Sequence, residues 1–253
     1  MNYVYLANGR VGYEVLRWLM GQGQPPVGLV LHPEERSRYR TEMIESAGLS
    51  PERIFDGAKL RTVEVMAGIE ALKPDLGLSV LFHYILKKEF LALFPRGCLN
   101  LHPALLPYNR GPCPNVWSIV EGTPSGVTLH YIDEGIDTGD IVAQKKVLVE
   151  PTDTGETLYR KLERTSVELF KEVWPQVCAG QASRTPQVRE AGTHHRTRDV
   201  ETIDEIDLNR PYIARDLINI LRARTFPPYR GAYFVHEGRR IYLQLLLTDE
   251  ADT

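Results

Sequence analysis

Along the first 180 positions, short apolar segments typical of strands alternate with segments whose apolar residues have helical spacing. Short apolar runs predict buried strands at residues 3–7, 27–31, 76–81 and 98–101. Apolar positions at helical spacing predict helices at residues 11–20, 42–47, 63–72 and 88–94. Strands that alternate with helices are typical of a parallel sheet covered on both faces. The predicted fold class is therefore α/β, with a Rossmann-like, mostly parallel sheet.

The pattern continues into two further strands and a long helix. A helix is expected at residues 115–120, followed by strands at 126–132 and 141–149, which a Gly- and Asp-rich loop at 133–140 connects. Apolar residues at helical spacing predict a long amphipathic helix over 155–177.

The pattern then weakens, which predicts a boundary. Residues 181–199 are mostly polar and indicate a connector. Beyond it, a helix that starts near Pro211 and a β-hairpin that turns at Glu237-Gly238 indicate a small C-terminal module over 200–253. The main domain is therefore expected to span residues 1–180.

Composition narrows the class of protein. The 253 residues are 43% hydrophobic and carry a formal net charge of −3, which favours a globular protein and gives no global reason to expect nucleic acid. No apolar stretch approaches the roughly 20 residues that cross a bilayer, and no signal-type start is present, so a cytoplasmic protein without membrane contact is expected. Three widely spaced cysteines and the adjacent His194 and His195 predict neither a disulfide framework nor a metal site.

Three polar side chains are candidates for chemistry. Asn100 and His102 lie at the end of the fourth apolar run, and Asp137 lies in the loop at 133–140. If folding brings them together, an amide can polarise a carbonyl, an imidazole can manage the proton of an attacking amine, and a carboxylate can orient the imidazole. The three residues therefore indicate acyl transfer that needs no nucleophilic side chain.

Further motifs follow these residues in a defined order: Leu105-Leu106-Pro107, Arg110-Gly111, Gly126-Val127-Thr128 and Asp137-Thr138-Gly139-Asp140. In this combination, the first two thirds of the chain resemble the formyltransferases that use N10-formyltetrahydrofolate. That family includes glycinamide ribonucleotide transformylase, methionyl-tRNA formyltransferase and the sugar N-formyltransferases.

The resemblance implies roles for the three polar residues. Asn100 would stabilise the developing oxyanion, and His102 would share this work or accept a proton from the amine. Asp137 would orient His102 and favour its protonated form. The catalytic residues are therefore expected to be Asn100, His102 and Asp137.

The resemblance also implies N10-formyltetrahydrofolate as co-substrate, with no metal. Its pterin ring is generally held in this family by backbone groups of two loops, which match His83-Tyr84-Ile85-Leu86 and Asp133-Glu134-Gly135-Ile136 here. Phe82 and Leu86 are expected to supply apolar walls. Without the resemblance, the segment Tyr84-Ile85-Leu86 would be interpreted as ordinary core.

The amine substrate is less determined. A nucleotide-linked amino sugar, an aminoacyl-tRNA and a ribonucleotide amine are all compatible with the family. The segment Tyr108-Asn109-Arg110-Gly111 with Pro114-Asn115-Val116-Trp117 resembles the sugar enzymes most. Residues 200–253 carry nine acidic and seven basic side chains, a net charge of −2, which disfavours binding of a tRNA backbone.

Arginine can bind a diphosphate bidentately, and an aromatic ring can pack on a base or sugar. Residues of these kinds near the predicted turns are therefore candidate contacts to the substrate. They are Asn8, Arg10, Tyr108, Asn109, Arg110, Trp117, Arg224, Phe226 and Tyr229. A structural alternative stays open for several of them. Arg10 and Arg110 could form surface ion pairs, and Phe226 and Tyr229 could attach the hairpin to the core.

The sequence thus predicts a sugar N-formyltransferase that modifies a nucleotide-linked 3- or 4-amino deoxysugar for a surface glycan such as lipopolysaccharide. Three alternatives stay open: an enzyme resembling methionyl-tRNA formyltransferase, a formyl-folate hydrolase, and a non-catalytic binding module. The apolar strands of the terminal hairpin predict a homodimer.

Overall fold

The computed structural model describes residues 1–250, with the backbone alone at residue 189. Its strands are, in chain order, β1 (Tyr3–Ala7), β2 (Gly28–Leu31), β3 (Ile54–Asp56), β4 (Leu76–Val80), β5 (Cys98–His102), β6 (Gly126–Tyr131), β7 (Ile141–Lys146), β8 (Tyr233–His236) and β9 (Arg239–Tyr242). Its α-helices are α1 (Gly9–Gly21), α2 (Arg40–Ala47), α3 (Val63–Ala71), α4 (Lys88–Leu91), α5 (Pro114–Val120), α6 (Gly155–Cys178), α7 (Thr197–Asp204) and α8 (Ala214–Ala223).

Strands β1 to β7 form one sheet in the order β3-β2-β1-β4-β5-β6-β7. The pairs β1–β2, β1–β4, β2–β3 and β4–β5 are parallel, whereas β5 and β6 are antiparallel. The chain runs outward from β1 to β3 and then returns to β4 on the other side of β1. Right-handed crossovers therefore put α1 and α2 on one face of the sheet and α3 and α4 on the other. The predicted α/β class is confirmed.

Strand β1 and helix α1 form the centre of this sheet. All five residues of β1 are buried, and the Tyr5 hydroxyl donates to the Gly12 carbonyl oxygen at 2.8 Å. A Cβ atom at Gly12 would lie 3.0 Å from the Cβ of Ala7, so glycine permits the close approach of helix and strand. The carboxyl end of β1 is therefore held firmly where the strand order reverses.

The chain divides into two compact units. The first contains Met1–His102, Thr128–Gln144 and Ser166–Gln187, and in it the rings of Trp18 and Phe170 meet edge to face at 5.9 Å. The second unit contains Pro103–Val127, Lys145–Thr165 and residues 188–250 of the last segment. The predicted linear division at residues 180 and 200 stays a prediction.

Helices α5 and α8 pack together in the second unit. There the guanidinium of Arg222 donates to the carbonyl oxygens of Glu150, Pro151 and Asp153 at 2.9 to 3.2 Å. The strands β8 and β9 pair in an antiparallel hairpin, so the predicted C-terminal hairpin is confirmed. No helix within residues 1–250 combines the length and the apolar character that a membrane span needs.

Two elements have no counterpart in the sequence prediction. Strand β3 is three residues long and buries only Phe55, so it offers too few positions for an alternating pattern. Helix α7 begins in the polar connector and has Val200 as its buried residue. Both elements carry too little apolar periodicity to be detected locally.

Candidate active site

Asn100 and His102 share one face of β5, because side chains two residues apart on a strand point the same way. In the register of the sheet, Asn100 lies beside Ser79 of β4 and His130 of β6. The Ser79 hydroxyl donates to Oδ1 of Asn100 at 2.9 Å, and Nδ2 of Asn100 lies 3.2 Å from Nε2 of His130. A row of three polar side chains therefore crosses the sheet.

Asp137 reaches this row from the loop between β6 and β7. Its carboxylate lies 3.6 Å from Nε2 of His102 and 3.5 Å from Nε2 of His130. Its φ angle is +52°, in the left-handed region that non-glycine residues seldom adopt. The structure thus brings Asn100, His102 and Asp137 to one place. Together with His130 they form a group of four polar side chains, which we call the cluster.

His130 is the member of this cluster that sequence reasoning missed. Its Nδ1 lies 2.8 Å from the carbonyl oxygen of Tyr131. A carbonyl oxygen only accepts, so Nδ1 carries a proton, and in this tautomer Nε2 accepts from Asn100. The Asn100 amide is therefore oriented from both sides. The only sequence signal for His130 is its register with Asn100, which requires knowledge of the sheet.

A cavity of about 150 Å³ opens beside the cluster. Its wall contains Asn100, His130 and Asp137 together with two further groups of residues: Ser79, Phe82, His83, Tyr84, Ile85 and Leu86 in one group, and Ile132, Asp133, Gly135 and Ile136 in the other. Of the residues predicted to bind folate, all of which the structure describes, only Glu134 is outside this lining. The two predicted loops therefore line one cavity together with Asn100 and Asp137.

His32 packs against the loop at 82–86 and stabilises it. It is 4% exposed, its Nε2 accepts the backbone N–H of His83 at 3.3 Å, and its ring stacks on Tyr84 at 4.7 Å. Burial, with a smaller contribution from His83, lowers the pKa of His32 from its ordinary value to about 4. The ring is therefore neutral at physiological pH and keeps the lone pair that accepts from the loop.

Two features fix the loop at 133–139: a turn that the Asp133 side chain closes, and the close approach of Gly139 to the backbone of Tyr131. Oδ1 of Asp133 accepts from the N–H of Gly135 at 2.9 Å and from the Thr138 hydroxyl at 2.5 Å. A Cβ atom at Gly139 would lie 2.0 Å from the carbonyl oxygen of Tyr131, so only glycine fits. These contacts fix the path of the backbone on both sides of Asp137.

A larger cavity, of about 650 Å³, shares Tyr84, Ile85 and Leu86 with the first. Two exposed cationic residues, Arg61 and Lys87, belong to its lining. Sequence reasoning did not predict this cavity, because its wall combines the loop after β3 with the loop after β4.

Asn8 and Arg10, which were predicted to bind the nucleotide, lie where the strand order reverses. The Asn8 side chain is 6% exposed, and its Oδ1 accepts from the N–H groups of Gly9 and Arg38 at 2.9 and 2.8 Å. Arg10 is exposed and pairs with Glu14 at 2.6 Å. Asn8 therefore caps α1 and closes the loop after β2, whereas the Arg10 guanidinium faces solvent.

Asn109 in the second unit is fully buried. Its Nδ2 donates to the hydroxyls of Ser118 and Thr123 at 2.9 and 2.8 Å. Its Oδ1 accepts from the hydroxyl of Thr193 at 3.0 Å. An amide engaged in this way holds the turn closed, and contact with a substrate would require the turn to open.

Arg110 and Trp117 are buried near the same turn. The backbone of Arg110 exchanges hydrogen bonds with Thr193 and His195, and the Trp117 ring stacks on His195 at 3.9 Å. Nε2 of His195 lies 3.3 Å from the carboxylate of Glu121. These contacts tie α5 to the segment at 193–195. A role of Arg110 and Trp117 in substrate binding stays a prediction.

The remaining predicted substrate residues also lie in the second unit. Arg224 pairs with both carboxylate oxygens of Asp204. Phe226 contacts the rings of Tyr159 and Tyr229, and Tyr229 is 46% exposed. Tyr108 is partly exposed. Their role in substrate binding also stays a prediction.

Comparison with known protein families identifies this arrangement. A family model described as formyl transferase matches residues 23–174, more than half of the chain. The chain belongs to the formyltransferase family. A second model, described as the N-formyltransferase dimerization C-terminal domain, matches residues 199–249 of this formyltransferase.

Two relatives of known name differ in the substrate for which they are named. The methionyl-tRNA formyltransferase of Symbiobacterium thermophilum is 36% identical over 225 residues, which are 86% of this chain and 67% of the relative. The dTDP-4-amino-4,6-dideoxyglucose formyltransferase of Mycobacterium tuberculosis is 35% identical over 179 residues, which are 70% and 74% of the two chains. The chain spans 67%, 62% and 75% of the methionyl-tRNA formyltransferases of Symbiobacterium thermophilum, Bacillus subtilis and Geobacillus thermodenitrificans.

Two solved structures extend the comparison. A 4-N formyltransferase from Francisella tularensis has a TM-score of 0.84 and 27% identity, with 98% of each chain covered. The formyltransferase PseJ from Anoxybacillus kamchatkensis has a TM-score of 0.60 and 28% identity, with 80% of this chain and 89% of that chain covered. PseJ was solved in complex with UDP-4,6-dideoxy-4-formamido-L-AltNAc and tetrahydrofolate. The predicted family and enzyme class, a formyl-transferring enzyme, are confirmed.

Proposed function

We propose that this formyltransferase moves the formyl group of N10-formyltetrahydrofolate to the amino group of a nucleotide-linked amino deoxysugar. The observation that carries the proposal is the meeting of Asn100, His102 and Asp137 beside a cavity whose lining includes Asn100, Asp137 and all but one of the residues predicted to bind folate. PseJ, which binds both tetrahydrofolate and a nucleotide-linked formamido sugar, supports the same pairing of substrates.

The smaller cavity suits the pterin ring of the folate. A flat ring with several donors and acceptors needs apolar walls and main-chain partners in fixed positions. Phe82 and Leu86 are buried walls, while Ile85 and Ile136 are 63% and 47% exposed at the rim. Those two side chains would lose exposed apolar surface when a ring enters, which favours binding.

The larger cavity continues from the same loop and suits the rest of the folate. It begins at Tyr84, Ile85 and Leu86, so a ligand whose ring fills the first cavity can extend into the second. The glutamate end of a folate is anionic. The lining contains two cationic residues, Arg61 and Lys87, against one acidic residue, Glu89, so its net charge complements that of the folate.

The cluster supplies the groups that formyl transfer requires. An amino sugar is cationic in neutral water, so its nitrogen must lose a proton before the lone pair can attack the formyl carbon. As the new C–N bond forms, the carbonyl oxygen gains negative charge. One N–H of Asn100 is used by His130, and the second N–H stabilises this oxyanion.

His102 manages the proton and Asp137 stabilises the result. His102 accepts the proton of the attacking amine and returns it to N10 of the folate when the old C–N bond breaks. A formamide and tetrahydrofolate leave, and one proton is released to solvent. The Asp137 carboxylate, 3.6 Å from Nε2 of His102, stabilises the positive charge that the ring carries between these steps. Neither a metal nor a covalent enzyme intermediate takes part in this proposal.

Structural similarity and charge favour a sugar substrate over a tRNA. The 4-N formyltransferase from Francisella tularensis matches this chain with a TM-score of 0.84. The C-terminal segment is net acidic, which opposes binding of a phosphate backbone. Among the predicted nucleotide contacts, exposed Arg10 at the strand-order reversal is well placed for a diphosphate.

The C-terminal region supports a proposed homodimer. Its family model is described as a dimerization domain, and Val235, Ile241 and Tyr242 of the hairpin are each more than a third exposed. A second copy would cover these side chains. Location in the cytoplasm and a role in surface glycan synthesis stay predictions.

The test is a screen of dTDP-, GDP- and UDP-linked 3- and 4-amino deoxysugars with N10-formyltetrahydrofolate, in which mass spectrometry detects the gain of one formyl group. A formylated sugar supports the proposal. Charged initiator methionyl-tRNA is the competing substrate, and its faster formylation would overturn the sugar assignment. Rapid formate release without an amine would indicate a hydrolase, and folate binding without turnover would indicate a binding module.

A further inference from the structure

Residues 183–187, which we call the bracing segment, run along the loop that carries Asp137. Thr185 pairs antiparallel with Ile141 through two backbone hydrogen bonds of 2.8 and 2.9 Å. The Ser183 hydroxyl donates to the carbonyl oxygen of Val142 at 2.8 Å. The bracing segment thus extends the pairing of the sheet at the point where the loop ends.

Gln187 ends the bracing segment and contacts the loop itself. Its Nε2 donates to the carbonyl oxygen of Asp137 at 2.9 Å and to that of Gly139 at 2.7 Å. Both protons of one amide nitrogen are therefore used on the backbone that bears the carboxylate. Arg184 contacts the last residue of the loop, with its guanidinium 3.3 Å from the Asp140 carboxylate.

The loop has a physical need for this support. Asp137 adopts a left-handed φ of +52°, which disfavours its backbone relative to an ordinary conformation. Such a residue keeps its conformation only when the surrounding structure overdetermines it. The direction of the carboxylate toward His102 depends directly on that backbone conformation.

We infer that Gln187 is a positioning residue, which holds the Asp137 backbone so that its carboxylate faces His102 and His130. The inference rests on the proposed function, because it assumes that Asp137 takes part in formyl transfer. The sequence of the polar connector does not indicate this role. The two carbonyl groups that Gln187 binds belong to a loop about fifty positions earlier in the chain.

The test compares two substitutions of Gln187. Gln187→Met keeps the length of the side chain and removes both N–H donors. We expect kcat for formyl transfer to fall roughly tenfold to a hundredfold, because small misplacement of a catalytic group is costly. KM for the amino sugar should change little. Gln187→Lys, which restores N–H donors at similar reach, should recover most of kcat.

Ser183→Ala is the matched control. It removes a hydrogen bond from the same bracing segment without touching the Asp137 loop. Its kcat should stay near that of the unmodified protein. An unchanged kcat in Gln187→Met, or an equal loss in Gln187→Met, Gln187→Lys and Ser183→Ala, would overturn the inference.

A second measurement separates this inference from the proposed function. Hydrogen exchange of the amides at 135–139 should be faster in Gln187→Met than in the unmodified protein and in Ser183→Ala. If the unmodified protein formylates no amine, the proposed function fails, and exchange still decides whether Gln187 holds the loop. Equal exchange in all three proteins would show that it does not.

Discussion

Asn100 and Asn109 belong to neighbouring motifs, yet the side-chain amide of Asn100 lies at a cavity, whereas that of Asn109 is fully buried. Asn100 lies on β5 at the wall of a cavity, with one amide proton on His130. Asn109 has no exposed surface, and its amide is bonded to hydroxyls of its own unit. The same side chain thus faces a space that a ligand can fill in one region and closes a turn in the other.

This difference separates activity from stability. A polar group that faces a cavity is available to a reacting molecule, so its removal acts directly on the reaction. A buried amide with every partner inside the protein contributes to the free energy of unfolding, because its removal leaves those partners unpaired. Substitutions in the two regions should therefore affect different measurements.

The largest effect is expected for His102→Ala. Without the imidazole, the attacking amine has no acceptor for its proton, and kcat should fall about 10²- to 10⁴-fold. The melting temperature should stay close to that of the unmodified protein. Steady-state kinetics with a formylatable amino sugar would check this, and full activity of the variant would refute the proton-transfer role.

Asn100→Ala should lower kcat about 10²- to 10³-fold, since it removes one donor to the oxyanion. Folate affinity, measured by titration with 5-formyltetrahydrofolate, should fall much less than kcat. An equal loss in both quantities would mean that Asn100 binds the substrate in its ground state and does not act selectively on the transition state.

Asn109→Ala is the matched substitution in the other region. It should lower the free energy of unfolding by about 2 kcal/mol, because it leaves the buried Ser118 hydroxyl and the half-buried Thr123 hydroxyl without their donor. Urea denaturation measures the change. The kcat of the folded fraction should be retained, and a selective loss of kcat would instead favour the predicted contact with substrate.

The smallest effect concerns His32, whose pKa burial lowers to about 4. The unfolded chain binds a proton at His32 more readily than the folded chain does, so the free energy of unfolding should fall as pH decreases from about 6.5 toward 4. His32→Gln, which keeps an acceptor for the N–H of His83, should remove most of this dependence. Identical pH curves for both proteins would contradict the assignment.

The sequence predicted the elements whose apolar pattern is long. Strands β1, β4 and β5 and helix α6 lie where the apolar runs and helical spacing place them. Short β3 and polar α7 have no such pattern, and their conformation depends on contacts distant in sequence. Local periodicity therefore predicts the centre of the fold better than its edges.

The candidate site divides in the same way. Asn100, His102 and Asp137 could be selected because each stands in a motif. His130 and Gln187 could not, because a histidine in a strand and a glutamine in a connector have no distinctive local pattern. The burial of Asn109 also could not be foreseen, since Thr193, one of its partners, lies far along the chain.

Asp137→Asn keeps the shape of the side chain and removes the charge that stabilises protonated His102, so this variant decides whether Asp137 takes part in formyl transfer. The measurement is the initial rate of formyl transfer to a nucleotide-linked amino sugar, with 5-formyltetrahydrofolate binding as the check on folding. We expect normal folate binding and a rate of formyl transfer that is reduced at least about 10²-fold. A variant that binds folate and transfers the formyl group at the unmodified rate would contradict it.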